Sequence, residues 1–211
     1  MKKTLLGLLC ISFIFTSCVD EKKDAEVQKN EVSKTQVCHY TLDKKSSKLS
    51  WTAFKTTDKL AVNGVFDKFD IQSNNSSSDV NELLKSTKFT IHSSSINSGN
   101  EARDIKLVSF FFGNTINNGV IKGYVKDVTE KTLNFYLTFN GISLDVPFKY
   151  TVIDKQLVTE GIIDLNAFKA EKAIDRLNQA CNEKHKAADG ISKTWPEVEI
   201  SFSSTILTTC E

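Results

Sequence analysis

Apolar and polar residues alternate along most of the chain between Tyr40 and Leu207. "LSWTAF" sets Leu49, Trp51 and Ala53 on one face, and "LNFYLTF" sets Leu133, Phe135, Leu137 and Phe139 opposite Asn134, Tyr136 and Thr138. "VEISFSSTI" repeats the pattern with Val198, Ile200, Phe202 and Ile206, broken only at Ser204. Period-two alternation of this kind predicts strands with one face in water and the other against an apolar interior. "AVNGVFDKF", "STKFTIHS", "GVIKGYVKDV", "DVPFKYTVI" and "QLVTEGIIDL" extend the set to about eight strands, the number that closes a small barrel. The expected class is all-β, an extended antiparallel barrel.

Two stretches depart from alternation. "DVNELLKS" predicts a helical turn, and "AFKAEKAIDRLNQACNEKH" spaces Ala170, Ile174, Leu177 and Cys181 as on a helix that caps one barrel end. A third stretch, "NEARDIKLVSFFF" (100–112), joins charges to a phenylalanine run. Its first half reads as a connection and its second half as wall, with Val108, Phe110 and Phe112 inward and Ser109 and Phe111 outward.

The front of the chain has another character. Lys2 and Lys3 precede an apolar run from Leu5 to Phe15, the layout of a secretory signal too short to span a bilayer. With Thr16 and Ser17 before Cys18, residues 1–17 resemble a bacterial lipoprotein signal, and Cys18 is the expected site of lipid attachment. The competing reading is an ordinary cleaved signal with Cys18 a bystander. Residues 18–37 carry charges of both signs and no aromatic residue, so they are expected to form a flexible tether reaching roughly 25 Å. Residues 38–211 form the expected folded domain, long enough for one substantial core.

Charge excludes one class of partner. Removal of the leader leaves 25 basic residues against 26 acidic ones, and only Arg103 and Arg176 are arginines, so no basic stripe suits nucleic acid. The cysteines add a restraint, because an exported chain meets oxidising conditions. Cys38 opens the folded region and Cys210 closes it, and the first and last strands of a closed antiparallel barrel are neighbours. A Cys38–Cys210 disulfide is favoured, with Cys181 paired to either as the competitor.

Catalytic chemistry finds little support. His39, His92 and His185 are scattered; only Cys181 and His185 share an i, i+4 spacing, and two ligands fall short of the three or four of a zinc site. No phosphate loop, HExxH or GxSxG occurs. No metal and no cofactor is expected. Fourteen phenylalanines give the interior an aromatic character that suits a long hydrocarbon, each buried methylene contributing about 0.8 kcal/mol. A filled core without a cavity is the plainer reading of the same composition.

The blocks "YTLDKKSSKLSW", "VNGVFDKFDI", "IHSSSINSGNEARDIKLVSFFF", "FNGISLDVPFKYTV" and "DGISKTWPEVEISFSSTI" resemble, in this order, those of the YceI-like family. The resemblance implies a lipocalin-like barrel that binds a long isoprenoid or other lipid in its bore, in an exported protein of the bacterial envelope. As a lipoprotein it would sit in the periplasm, anchored to the outer membrane, with no protein partner indicated. Candidate bore residues are Trp51, Phe66, Phe89, Ile91, Val108, Phe110, Phe112, Leu133, Phe135, Leu137, Phe139, Phe148, Ile200 and Phe202. Arg103 and Asp104 carry two readings, a structural pair before a strand or a contact to a lipid head group at the bore's mouth. The family pattern is departed from in the insert Ala167 to His185 and in the turn "NGISLD". The alternative function is an envelope interaction protein with a packed barrel.

Overall fold

In a computed structural model, residues 36–75 and 77–211 are described; the leader, Cys18 and residues 18–35 of the expected tether lie outside them. The strands are β1 (Cys38–Leu42), β2 (Lys48–Lys55), β3 (Leu60–Phe66), β4 (Phe69–Gln72), β5 (Lys88–Ile91) and β6 (Ile96–Asn97), followed by β7 (Ile121–Val128), β8 (Thr132–Phe139), β9 (Ile142–Ile153), β10 (Gln156–Asp164) and β11 (Thr194–Cys210). Helices α1 (Val80–Lys85), α2 (Glu101–Lys106) and α3 (Glu171–Ala180) interrupt them. All strand pairings are antiparallel, in the order β4-β5-β7-β8-β9-β10-β11-β2-β3-β6.

The ends of this path meet. β4 resumes two residues after β3, and β6 follows β5 after one short 3₁₀ turn, so each pair is one bent strand. Phe66 pairs with Ile96 on one side of the bend and Phe69 with Ile91 on the other. Counted this way, eight strands curl into the barrel, as the alternation predicts, and β1 lies outside that ring against the end of β11. Asn140 and Gly141, at φ 49° and 73°, form the tight turn between β8 and β9, where positive φ at both positions matches the twist of the hairpin. β9 and β10 pair only from Gln156↔Ile153 to Glu160↔Lys149 and then separate, just before Pro147, whose nitrogen has no hydrogen to donate.

Cys38 faces Cys210 across β1 and β11, and the two form the disulfide, leaving Cys181 as a half-buried free thiol. The ends of the barrel are closed by helices. Asp79 caps α1 by accepting from Glu82 N at 2.9 Å, which turns Leu83 and Leu84 into the interior, where they are essentially fully buried. α3 buries Ala173, Ile174 and Leu177 against the other end.

The expectation for residues 107–112 is corrected. They are helical, α2 running into a π-helical turn at Leu107–Phe111 and then a 3₁₀ turn at Phe112–Asn114. Asn100 starts the helix by accepting from Arg103 N at 3.0 Å, and the chain that follows has no turn residue to stop it before Gly113. Helical geometry sends Leu107, Phe111 and Phe112 inward and leaves Phe110 on the surface, 41% exposed. Phe111 and Phe110 therefore exchange the sides that alternation assigns them.

Candidate functional site

The barrel encloses two adjoining apolar cavities. The first, of about 100 Å³, lies towards α1 and is walled by residues such as Leu42, Leu84, Phe89, Leu133, Phe135, Phe148 and Phe202. The second, about 110 Å³, lies beneath α3 and the 107–112 turn, walled by Trp51, Leu107, Phe111, Phe112, Phe139, Ile174, Leu177 and Trp195 among others. Phe66, Ile121, Leu137, Ile163 and Ile200 line both and form a waist between two chambers. The Thr87 hydroxyl on the first chamber's wall is already committed, donating to Leu83 O at 3.0 Å.

The bore stays open because large rings lie along its wall. Trp51 is paired across the sheet with Gly64, and Phe89 with Gly123; a Cβ at either glycine would come within 2.3 and 2.5 Å of the facing ring. Phe148 lies over Gly161 in the same way, at 2.4 Å, where β9 and β10 part. The Trp51 indole donates to Val65 O at 3.2 Å, holding its ring flat. Edge-to-face contacts link Phe89 to Phe135 (5.8 Å) and Phe135 to Phe148 (5.0 Å), a geometry aromatic pairs prefer.

Twelve of the fourteen candidate bore residues line one chamber or both: Trp51, Phe66, Phe89, Ile91, Phe112, Leu133, Phe135, Leu137, Phe139, Phe148, Ile200 and Phe202. Val108 is half-buried at the core's edge but faces a shallow surface groove with Ile105, and Phe110 lines neither chamber. Sequence reasoning passes over Phe111, Ile163 and the α3 residues Ile174 and Leu177. Ile163 continues the alternation of Leu157 and Thr159, and Phe111 stands four residues after Leu107, so both signals are present.

Arg103 and Asp104 converge on Ser98. Arg103 Nε donates to Ser98 Oγ at 2.7 Å and Nη2 to Ser98 O at 2.9 Å, while Asp104 Oδ1 accepts from Ser98 N at 3.0 Å and from Ser98 Oγ at 2.5 Å. The two side chains thus meet through a serine that they fix to the start of α2, and neither lines a chamber. They thereby fix the start of a helix, where the structural reading expects a pair pinning the connection before a strand.

A second polar group sits at the end of α3. Asn178 Oδ1 accepts from Thr194 Oγ1 at 3.0 Å and Ser192 Oγ at 3.1 Å, and His185 Nδ1 lies 2.8 Å from Thr194 Oγ1. Burial, with the charges of Lys55 and Lys106, pushes the His185 pKa down to about 4. Folding therefore keeps His185 neutral, and between its ordinary 6.5 and about 4 the unfolded chain binds more protons. The resulting stability is complete above that window and is lost as pH falls through it, by about 1–2 kcal/mol once solvent at a half-buried ring is allowed for. Thermal melting of His185→Gln should accordingly show a smaller drop than the wild type between neutral pH and the acid end of the window; equal drops would remove His185 as the cause.

Among the described residues no group of three or more His, Cys, Asp or Glu gathers as metal ligands, and no helix is long and apolar enough to cross a membrane. An antiparallel barrel around an apolar, two-chambered bore defines a lipocalin-like fold with the form of a binding protein. Residues 40–206 match the YceI-like domain, and the chain belongs to the YceI-like family. Among solved structures it is similar to a polyisoprenoid binding domain from Saccharophagus degradans implicated in plant cell wall breakdown, with TM-score 0.57 and 14% identity over 79% of this chain and 97% of that one. It is also similar to BcnA of Burkholderia cenocepacia, with TM-score 0.51 and 17% identity over 79% of this chain and 99% of that one. No curated protein matches the chain significantly.

Proposed function

We propose that this protein binds a long isoprenoid, or a lipid chain of similar form, along its two-chambered bore, and that it carries, stores or shields that lipid without catalysis. The observation that carries this reading is that two apolar chambers adjoin inside the barrel and share the five wall residues that stand between them. Such an apolar interior offers a hydrocarbon burial at about 0.8 kcal/mol per methylene and asks for no directional contact. The structural likeness to a polyisoprenoid binding domain agrees with it. The leader and Cys18 support export and lipid anchoring in the bacterial envelope, on the periplasmic side of the outer membrane, and the Cys38–Cys210 disulfide suits an oxidising compartment.

Mass spectrometry of an organic extract of the purified protein tests the reading. One bound lipid per chain is the expected result. An empty extract from a highly stable protein that also takes up no added isoprenoid would instead favour a packed barrel acting through its surface.

A further inference from the structure

The second chamber ends at polar groups that a hydrocarbon does not use. Thr194 lines that chamber, accepts or donates within the Asn178–His185 cluster, and stands directly across the sheet from Lys55. Lys55 Nζ donates to Lys184 O at 3.0 Å. Lys106, which immediately precedes the chamber residue Leu107, donates to Ala180 O at 2.9 Å. Two half-buried lysines, from β2 and α2, elements far apart in sequence, are thereby brought beside one end of one chamber without lining it.

Neither lysine forms an ion pair with a carboxylate among the described residues, whose three ion pairs all lie elsewhere. Their carbonyl contacts complement the C-terminal end of α3 and the turn after it, but an ammonium has three N–H donors and each contact uses one. The neighbouring Thr56 adds a second oddity. Its side-chain hydroxyl is buried without a partner among the described residues, and its φ of 60° is costly for a β-branched residue. Unspent cationic donors, a buried hydroxyl and local strain thus collect where the apolar bore stops.

We propose that Lys55 and Lys106 form a head-group site for a phosphate ester carried on the isoprenoid in the bore, with Thr194 and His185 beside it. This rests on the proposed lipid-binding function and narrows its ligand to a phosphorylated chain. A phosphate monoester carries close to two negative charges at neutral pH and presents several acceptor oxygens, which matches two unpaired lysines better than a hydroxyl or quinone head does.

Geranylgeranyl phosphate and geranylgeraniol share one chain and differ only in the head, so their affinities for the full protein separate the two ideas. The wild type should bind the phosphate roughly tenfold or more tightly than the alcohol, the size expected of charge-assisted hydrogen bonds. Lys55→Gln with Lys106→Gln should remove that preference and leave alcohol binding within about twofold, whereas the paired arginine replacements should retain it. Equal binding of both ligands by the wild type, or a preference that survives the glutamine changes, would overturn the head-group site and leave the lysines as caps of α3. Binding of neither ligand would overturn the bore reading and the site together. Alcohol binding lost by the glutamine variant but kept by the arginine one would also count against it, since the lysines would then shape the bore itself.

Discussion

Leu137→Trp should abolish binding of a long isoprenoid while sparing a short one. Leu137 is 4% exposed and lines both chambers, so an indole there fills the waist through which a long chain must pass. Overpacking a filled core costs about 1–3 kcal/mol, but here the flanking cavities take up part of the added volume, and a folded protein is expected. Excluding a ligand from one chamber strips it of several buried methylenes. Three or four of them are worth about 3 kcal/mol, more than a hundredfold in affinity. A five-carbon alcohol such as prenol, close to the three or four methylenes that one chamber takes, does not need the second chamber and should lose roughly tenfold or less. Competition binding with alcohols of increasing length reads the difference. If long and short chains weaken alike, the ligand does not thread the waist and the two chambers are not one tunnel.

How much of this was legible depends on which residues were near one another in sequence. The strands follow from period two, and eleven of the twelve candidates that line the chambers follow from the inward set of those strands, all but Phe112, because burial on one face leaves a local trace. The 107–112 segment defeats the same rule. Three consecutive phenylalanines satisfy almost any period, and what decides is the upstream cap at Asn100 together with Leu107 and Phe111 one helical turn apart. The bent strands were also hidden, since a bend after Phe66 shows itself only through the partners Ile96 and Ile91 on either side. Least legible is the polar end of the second chamber. Lys55, Lys106 and Thr194 come from three separate elements and His185 from the turn after α3, and nothing in the spacing of lysines along a chain distinguishes these two from the solvated majority.

The glycines occupy a middle ground. Gly64, Gly123 and Gly161 look in sequence like weak points of strands, and a strand glycine signals either a bulge or a close approach. The structure selects the approach: each supports an aromatic ring that would otherwise project into the bore. The same fourteen phenylalanines that suggest a filled interior therefore leave space along its axis, and whether an aromatic barrel is solid or hollow turns on what lies opposite each ring.

Replacing Cys38 and Cys210 with serine should cost about 3–5 kcal/mol of stability. The bond closes a loop between residues 172 apart, and the chain-entropy account assigns a loop of that length about 5 kcal/mol, an upper figure because the unfolded chain retains some structure. For a domain of this size the melting temperature should fall by roughly 10 °C. The wild type in reductant should melt with the serine variant, while Cys181→Ser, at a half-buried free thiol, should shift it little. A Cys181→Ser variant as unstable as the double variant would overturn the assignment of the bond. The effect should extend to the bore, since β1 places Leu42 in the same core as Leu157 and Ile206 and on the wall of the first chamber. Loosening β1 therefore opens the chamber farthest from the lysines, so the double variant should release a long isoprenoid faster than the wild type while discriminating between phosphate and alcohol as before.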